Sequence, residues 1–440
     1  MKYSQIIKGM VPFLFSATSL AAEKQPPNVV LIMCDDLGYG DLGYTGAEDI
    51  KTPNIDQLAA EGIEFTNYYA SAPTSSPTRC ALMTGRYQAR FKNLEAAFHM
   101  GVNHIGLPEN EETLGRAFQR NGYHTALIGK WHLGGLPHQV PTQQGFDYFT
   151  GFLSGNIDYF THQEKNGTHD LFEQEKAISS KEYMTDFIAD RSIRYIQEYK
   201  NKPFLLYVAF NAPHWPYQGP DDGPCMADGT DWMQGSRERL VSMIEHTDKR
   251  IGDILRELKK NQLDENTIVI FTSDNGGDKF ARNKPFSGSK GLIREGGIRV
   301  PLIFSWKENI KDPFKSNVPL ITMDITTTLL QLTNTPFKEK TDGTTFYPLS
   351  SEQNRDLQNR PLFWRNGAKK QDAVRLGDFK MLFEKGKYHL YNLTTDPEEA
   401  ENIADLYPDK LQELQKLYNQ WEAEMPYKQT QFGNALKINQ

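Results

Sequence analysis

Cysteine is scarce in this chain of 440 residues: three in all, Cys34, Cys80 and Cys225, far apart. That excludes a disulfide framework and a Cys-rich zinc site. No run of about 18 apolar residues occurs, so the sequence offers no membrane span. Positive charge is not in excess either. The formal net charge is −7, and it becomes more negative without the first 22 residues, which carry Lys2 and Lys8 and no acid. A negative chain is a poor non-specific nucleic-acid binder, and any anionic ligand must be drawn by a local basic site. Internal repeats and low-complexity segments are lacking too. What is present, 38% hydrophobic, 12% aromatic and 24% charged residues, is the composition of a soluble globular protein with a large core.

The first residues have the form of an export signal. Lys2 and Lys8 make a positive start, Met10-Val-Pro-Phe-Leu-Phe15 opens a short apolar run, and Ser19-Leu-Ala21-Ala22 offers small residues for cleavage. Residues 1–22 are therefore expected to be a signal peptide, and the protein to be exported, periplasmic or secreted, in a bacterium.

Alternating strand and helix patterns through the first three-quarters predict an α/β fold. Asn28–Met33, His124–Gly129, Phe204–Phe210, Thr267–Phe271 and Leu302–Ser305 read as buried strands. Leu240, Ile244, Thr247, Ile251, Ile254 and Leu258 define an amphipathic helix, and residues 141–180 read as loop. From about Pro361 the pattern changes to short alternating strands closed by a helix with Leu411, Leu414, Leu417 and Trp421 on one face. The expected division is 23–355 for a catalytic domain and 356–440 for a smaller antiparallel subdomain with a covering helix.

The strand ends carry polar residues that a core does not need. Asp35-Asp36 follows the first strand and Asp274-Asn275 follows another, offering only oxygen ligands, which suits Ca²⁺ or Mg²⁺ rather than zinc. Gly38-Tyr-Gly40-Asp-Leu-Gly43 matches a dinucleotide fingerprint, but Asp35, Asp36 and Asp41 would repel a pyrophosphate and no clear helix follows. That acidic cluster is expected to face a cation. Ser75-x-Pro77-x-Arg79, read alone, is a Ser/Pro-rich turn leading into a helix. Placed with its neighbours, it puts Ser75 at a helix N-terminus with Arg79 one turn on. Arg79, Lys130 and Lys290, with His132 and His214, supply positive charge. Three carboxylates against a divalent cation and three basic side chains leave a net positive site suited to a sulfate ester.

The ordered motifs Asp35-Asp36, Ser75-x-Pro77-x-Arg79 with Thr84-Gly85-Arg86, Gly129-Lys130-Trp-His132-Leu-Gly134, Pro213-His214, Asp274-Asn275-Gly276 and Gly288-x-Lys290…Glu295-Gly-Gly-x-Arg299-Val-Pro301 resemble those of the type I, formylglycine-dependent sulfatases of the alkaline phosphatase superfamily. The ending Leu390-Tyr-Asn-Leu-x-x-Asp396-Pro-x-Glu399 resembles that family's C-terminal subdomain, and Ser75 replaces the commoner Cys.

The resemblance implies a large, mixed, mostly parallel sheet flanked by helices, and a sulfuric ester hydrolase. Ser75 would be oxidised to formylglycine by a maturation enzyme of the radical type. With Asp35, Asp36, Asp274 and Asn275 it would bind a cation, for which Ca²⁺ is favoured over Mg²⁺. The hydrated aldehyde attacks sulfur, His214 with Lys290 protonates the leaving sugar oxygen, His132 with Lys130 removes the proton that expels sulfate, and Arg79 holds the metal shell.

The implied substrate is a sulfated glycan, with galactose or N-acetylgalactosamine-type sugars favoured. Asn156, Asp158, His162 and Trp215 either line a sugar pocket or are ordinary loop residues. Two other readings stand beside this one: a formylglycine-dependent phosphodiester or phosphonate hydrolase, and a non-catalytic sulfoglycan-binding protein whose Ser75 is never oxidised.

Overall fold

The computed structural model describes residues 25–92, 94, 105–226, 229–429 and 435–437. The export segment expected at 1–22 lies outside them. Ten strands build the main sheet. They are β1 (Asn28–Cys34), β2 (Ile63–Phe65), β3 (His124–Lys130), β4 (Tyr148–Phe152), β5 (Phe172–Glu173), β6 (Lys176–Ala177), β7 (Phe204–Ala209), β8 (Thr267–Ser273), β9 (Leu302–Ser305) and β10 (Phe314–Ser316). Their order is β10-β2-β9-β8-β1-β7-β3-β4-β5-β6. The five central strands, β8-β1-β7-β3-β4, are parallel, and β9 runs antiparallel against β8.

β1 shows why an unbroken apolar run is needed at the centre. Val29, Leu31 and Met33 enter one core, and Val30, Ile32 and Cys34 enter the other. Successive strand side chains point to opposite faces, so a strand covered on both sides must be apolar at every position. One face is covered by α2 (Ser75–Thr84), α3 (Leu114–Arg120) and α7 (Thr322–Leu332). The other is covered by α1 (Pro53–Ala60), α4 (Met184–Tyr199) and α5 (Arg237–Lys260), and every residue of the stripe expected on α5 is buried there.

The segment 141–180, expected as loop, contributes β4 to the sheet and the hairpin β5–β6 beyond it. Tyr148-Phe-Thr-Gly-Phe152 is short and broken by a glycine, so it carries no strand signature. Its pairing is decided by β3, where Gly129 stands opposite Gly151. Both glycines have positive φ, and a Cβ on Gly151 would lie 2.0 Å from the Gly129 oxygen. Two glycines permit this close backbone approach.

After the short α6 (Glu295–Ile298) and α8 (Ser351–Asn359), which buries Leu357, the chain forms a four-stranded antiparallel sheet. Its strands, β11 (Leu362–Asn366), β12 (Gln371–Leu376), β13 (Phe379–Glu384) and β14 (Lys387–Asn392), are covered by α9 (Pro408–Glu424). On α9 the buried face is Leu414, Tyr418 and Trp421, with Leu411 and Leu417 packed at its edge. This sheet does not have a core of its own. Its apolar side chains share one cluster with Tyr69, Tyr87, Ile293, Ile298, Ile321 and Met323 of the larger body.

Candidate active site

The carboxyl ends of β1, β3, β7 and β8 open on one side of the sheet, and the first residue of α2 faces them. β1 delivers Asp35 and Asp36, β8 delivers Asp274 and Asn275, β3 ends on Lys130, and His214 lies in the turn after β7. Such ends are where parallel sheets place their sites, since each strand stops while its neighbours' side chains still converge. Asp36 and His132 both have a left-handed backbone with φ of 62°, which turns each chain sharply as it leaves its strand.

Ser75 is 3% exposed. Its Oγ lies 2.9 Å from Asp35 Oδ1, 3.4 Å from Asn275 Oδ1 and 3.4 Å from Lys130 Nζ. Lys130 Nζ also donates to Asp35 Oδ2 in a fully buried ion pair. Arg79 braces the far side: Nε and Nη2 reach Asp274 Oδ2 at 3.0 and 2.8 Å. Its Nη1 donates to Tyr207 Oη at 3.2 Å and to the Lys130 carbonyl at 3.4 Å. Asn275 Nδ2 donates to Asp36 Oδ1 at 2.7 Å, which turns its Oδ1 towards Ser75. Lys290 Nζ bonds Asp36 Oδ2 at 2.6 Å, and His214 Nε2 lies 3.6 Å from the same oxygen.

Three acids are thus packed into one buried spot. Burial, countered by Lys290 and His214, still leaves Asp36 above the usual carboxylate range, and Asp35 and Asp274 add to the rise. Asp274 is likewise raised by burial and by Asp35 against the pull of Arg79. Asp35, also penalised by burial, is brought below its ordinary value by Lys130 and Arg79. Burial pushes Lys130 down, while Asp36 and Asp35 outweigh burial and raise Lys290. His214 is lowered to about 3 by burial, Lys290 and Lys130. Its Nδ1–H donates to the Trp215 carbonyl at 2.6 Å, so the neutral ring presents the Nε2 lone pair.

His132 is held by its backbone N–H on the Leu153 carbonyl (3.1 Å), and its ring packs over Gly155. A Cβ on Gly155 would lie 2.7 Å from His132 Nε2. The turn beneath is fixed by Asp170, which accepts from the N–H groups of Leu153 and Ser154 at 2.9 Å each.

The four residues considered for a sugar pocket separate. Asp158 is buried and accepts from the N–H groups of Phe160, Thr161 and Cys225 and from Gln218 Nε2. His162 is buried with Nε2 on the Glu182 carbonyl at 3.0 Å. These two side chains are spent on tying their loop to itself and to neighbouring segments. Asn156 is half-buried, and Trp215 lays its ring against His214 at 4.8 Å between centroids. Asp41 does not join the cation cluster. It accepts from Arg237 at 2.6 Å and from the Arg282 N–H, and the Gly38–Gly43 stretch forms two 3₁₀ turns. A nearby arginine had no local signature, because Arg237 lies 196 residues away.

Sequence reasoning missed Tyr207, whose hydroxyl on Arg79 sits inside an apolar strand run, and Ser273. Ser273 Oγ accepts from the Leu37 N–H and donates to the Asn275 carbonyl. It also missed Asp170. None carries a motif, and each was identifiable only by what it touches.

An α/β sheet with this acid, lysine and arginine constellation around a helix-leading serine defines a hydrolase of charged esters. The sulfatase family profile matches residues 27–335, and the profile for the C-terminal part of N-sulphoglucosamine sulphohydrolase matches residues 288–429. The chain belongs to the sulfatase family, the sulfuric ester hydrolases of the alkaline phosphatase-like superfamily.

N-acetylgalactosamine-6-sulfatase of Mus musculus is 31% identical over 418 residues, covering 88% of this chain and 76% of that protein. Arylsulfatase J of Mus musculus is 36% identical over 293 residues, 62% of this chain, and the match spans about half (47%) of that protein's length. Among solved structures, Ps i-CgsB superposes with a TM-score of 0.83 at 30% identity, covering 92% of this chain and 94% of that one. The complex of that protein with k-i-k-neocarrahexaose gives the same figures.

Proposed function

We propose that this protein removes O-sulfate from a glycan sugar, of galactose or N-acetylgalactosamine type, using a formylglycine made from Ser75 and a bound calcium ion. The observation that carries this is the seat of Ser75 Oγ, 2.9 Å from Asp35 Oδ1 and 3.4 Å from both Asn275 Oδ1 and Lys130 Nζ. A serine kept merely for a helix start has no reason to be buried among three acids and three basic side chains.

The donor set fits a hard cation held by Asp35, Asp36, Asp274 and Asn275. All the donors are oxygens, and burial, with the neighbouring acids adding to it, keeps two of the three carboxylates above their ordinary range, a cost that a bound cation would relieve. Calcium prevails over magnesium in this reading because fixed protein oxygens replace water with less demand on geometry. When present, the aldehyde and the ion supply an activated oxygen nucleophile at neutral pH and a route to release sulfate.

The chain's own residues do the rest. Asp35 and Lys130 fix the reacting oxygen of residue 75 and govern its proton. Arg79 keeps Asp274 aimed at the cation. Lys290 brings a proton at Nζ to the sulfate side, and His214, with an open Nε2 beside it, can take up and pass on the proton that the departing sugar oxygen needs. His132, fixed over Gly155, is the base for sulfate release. Trp215, whose ring lies against His214, is the first candidate to meet the sugar ring, and Asn156 the second. Export from the cell, with the signal at 1–22, belongs to the same reading, and among the described residues no helix is long and apolar enough to cross a membrane.

The names of N-acetylgalactosamine-6-sulfatase and of the neocarrahexaose complex support the choice of sugar class. The test is a screen of defined sulfated mono- and disaccharides, with 4-nitrophenyl sulfate and a bis-phosphodiester, on protein made with and without a serine-type maturase. Turnover is expected only where the peptide holding residue 75 is about 2 Da lighter than its serine form. Faster phosphodiester turnover, or tight glycan binding by protein with intact serine and no turnover, would sink the reading.

A further inference from the structure

Lys290 sits on a stretch that cannot hold itself. Residues 287–299 contain one helix of four residues, α6, and otherwise turns, with Gly288 and Gly291 at φ of 83°. So short a helix has no stability of its own, yet Lys290 Nζ must be fixed on Asp36.

The contacts of this strap divide into two sides. Towards the larger body, the Lys290 N–H donates to the Gly277 carbonyl (3.1 Å) and the Gly291 N–H to the Pro73 carbonyl (2.8 Å), two residues before Ser75, and Asn283 Nδ2 donates to the Gly288 carbonyl at 3.3 Å. The far end of the strap is also anchored there: Tyr69 Oη donates to Glu295 at 2.7 Å, the Gly297 and Ile298 carbonyls accept from the Gly276 and Ala70 N–H groups, and Arg299 Nε donates to the Thr66 carbonyl. On the other side every partner belongs to the C-terminal sheet or the turn after it. Asn366 Nδ2 donates to the Gly291 carbonyl at 2.9 Å, and Gln371 Oε1 accepts from the Ile293 N–H at 3.2 Å. Lys380, fully buried, donates to the Ile293 carbonyl at 2.8 Å and pairs with Glu295 and Glu399 at 2.9 Å each. Glu399 also accepts from the Glu295 N–H and from Ser287 Oγ. Arg294 pairs with Glu384. Ile293 and Ile298 are buried in the cluster that the two parts share.

A buried charge network adds little net stability but admits few alternative registers, because any shift strands an unpaired charge. Here it fixes the strap whose tip is the Lys290–Gly291 linkage, held between Pro73 on one side and Asn366 on the other.

We propose that the C-terminal sheet is a positioning device for Lys290, with Asn366 and Gln371 as positioning residues that never touch substrate. The proposal rests on the sulfatase reading given above, in which Lys290 serves the sulfate. Lys290 with its strap attached to the larger body alone would keep its charge and lose its aim, and a displacement of about 1 Å at a catalytic group costs about 100-fold in rate.

The test is a double-mutant cycle on matured enzyme with 4-nitrophenyl sulfate, using Asn366→Ala, Lys290→Ala and both together. Gln371→Met serves as a second, volume-conserving variant. Asn366→Ala is expected to lower kcat/KM about 10-fold, since one hydrogen bond to the strap is lost. Its Tm should stay within about 2 °C of the parent, and amide exchange should quicken within 287–299. On the Lys290→Ala background the same change should cost less than about 2-fold, because its effect passes through Lys290. A further 10-fold loss there, full activity in both Asn366→Ala and Gln371→Met, or unchanged exchange of the strap would overturn the proposal. Full turnover by Lys290→Ala alone overturns it together with the role given to Lys290.

Discussion

Arg79→Met is the perturbation whose consequence the structure fixes best. Arg79 is 1% exposed, and its guanidinium makes two bonds to Asp274 Oδ2 and one each to Tyr207 Oη and the Lys130 carbonyl. Methionine fills much of the same channel, so little packing is lost. What is lost is the charge. Asp274, wholly buried beside Asp35 and Asp36, keeps only the Asp36 N–H at 3.3 Å among the protein donors now paired with it.

Removing one partner of a buried pair costs about 3–5 kcal/mol. The two abandoned neutral acceptors place this variant in the upper half of that range, about 4–5 kcal/mol. The assay is equilibrium urea unfolding at pH 7 with chelator, on protein carrying plain serine at position 75, so that neither cation nor aldehyde contributes. Arg79→Met with Asp274→Asn should recover at least about 2 kcal/mol relative to the sum of the single changes, because the loss comes from a stranded charge. Arg79→Lys, charged but without the planar fork, should fall between parent and Arg79→Met. Arg79→Met within about 1 kcal/mol of the parent, or strict additivity in the double variant, would refute this account of the site.

Three other outcomes are expected. Glu295 is penalised by burial but drawn by Lys380, Arg299 and Arg375 from an ordinary value of 4.5 down to about 2. The unfolded chain therefore binds more protons in that window, and this contribution to stability is complete above about pH 4.5 and lost as pH falls through about 2. Glu295→Gln should flatten the acid limb of the urea midpoint, and an unchanged limb would contradict the ion network. Gly129→Ala sets a Cβ 2.0 Å from the Ala209 carbonyl oxygen at φ of 112°. It should cost about 3 kcal/mol or more, whereas Gly122→Ala, left-handed but in open space, should cost about 1–2; equal thermal shifts would refute the close approach. Chelation should lower turnover of the matured enzyme about 100-fold, with recovery on adding calcium and none with zinc, and a fully active metal-free protein would remove the cation from the reading.

Much of the site could be read from the chain because its residues stand at strand ends, where an apolar run stops abruptly at an acid or a lysine. Asp35, Lys130 and Asp274 were visible in that way, and the structure brings Asp35 and Lys130 onto Ser75 and Asp274 onto Arg79 one turn further along the helix. Asp158 and His162 stood in a loop of similar composition, and their side chains are engaged with other segments of the fold, through hydrogen bonds to Cys225 and Glu182. Asp41 stood in the same acidic cluster and was taken by Arg237.

By itself, the sequence determined the α/β class, where along the chain the central buried strands fall, the antiparallel character of the C-terminal strands and the residue types at the site. Those follow from local periodicity and from where polarity interrupts it. Tertiary structure alone decided the pairing of Tyr148–Phe152 with β3, the burial of Tyr207 against Arg79, and the grip of Asn366, Gln371 and Lys380 on the strap of Lys290. These are contacts between residues from about twenty to well over a hundred positions apart, and no periodicity encodes them. They are settled when two surfaces meet and every buried charge and carbonyl must find a partner.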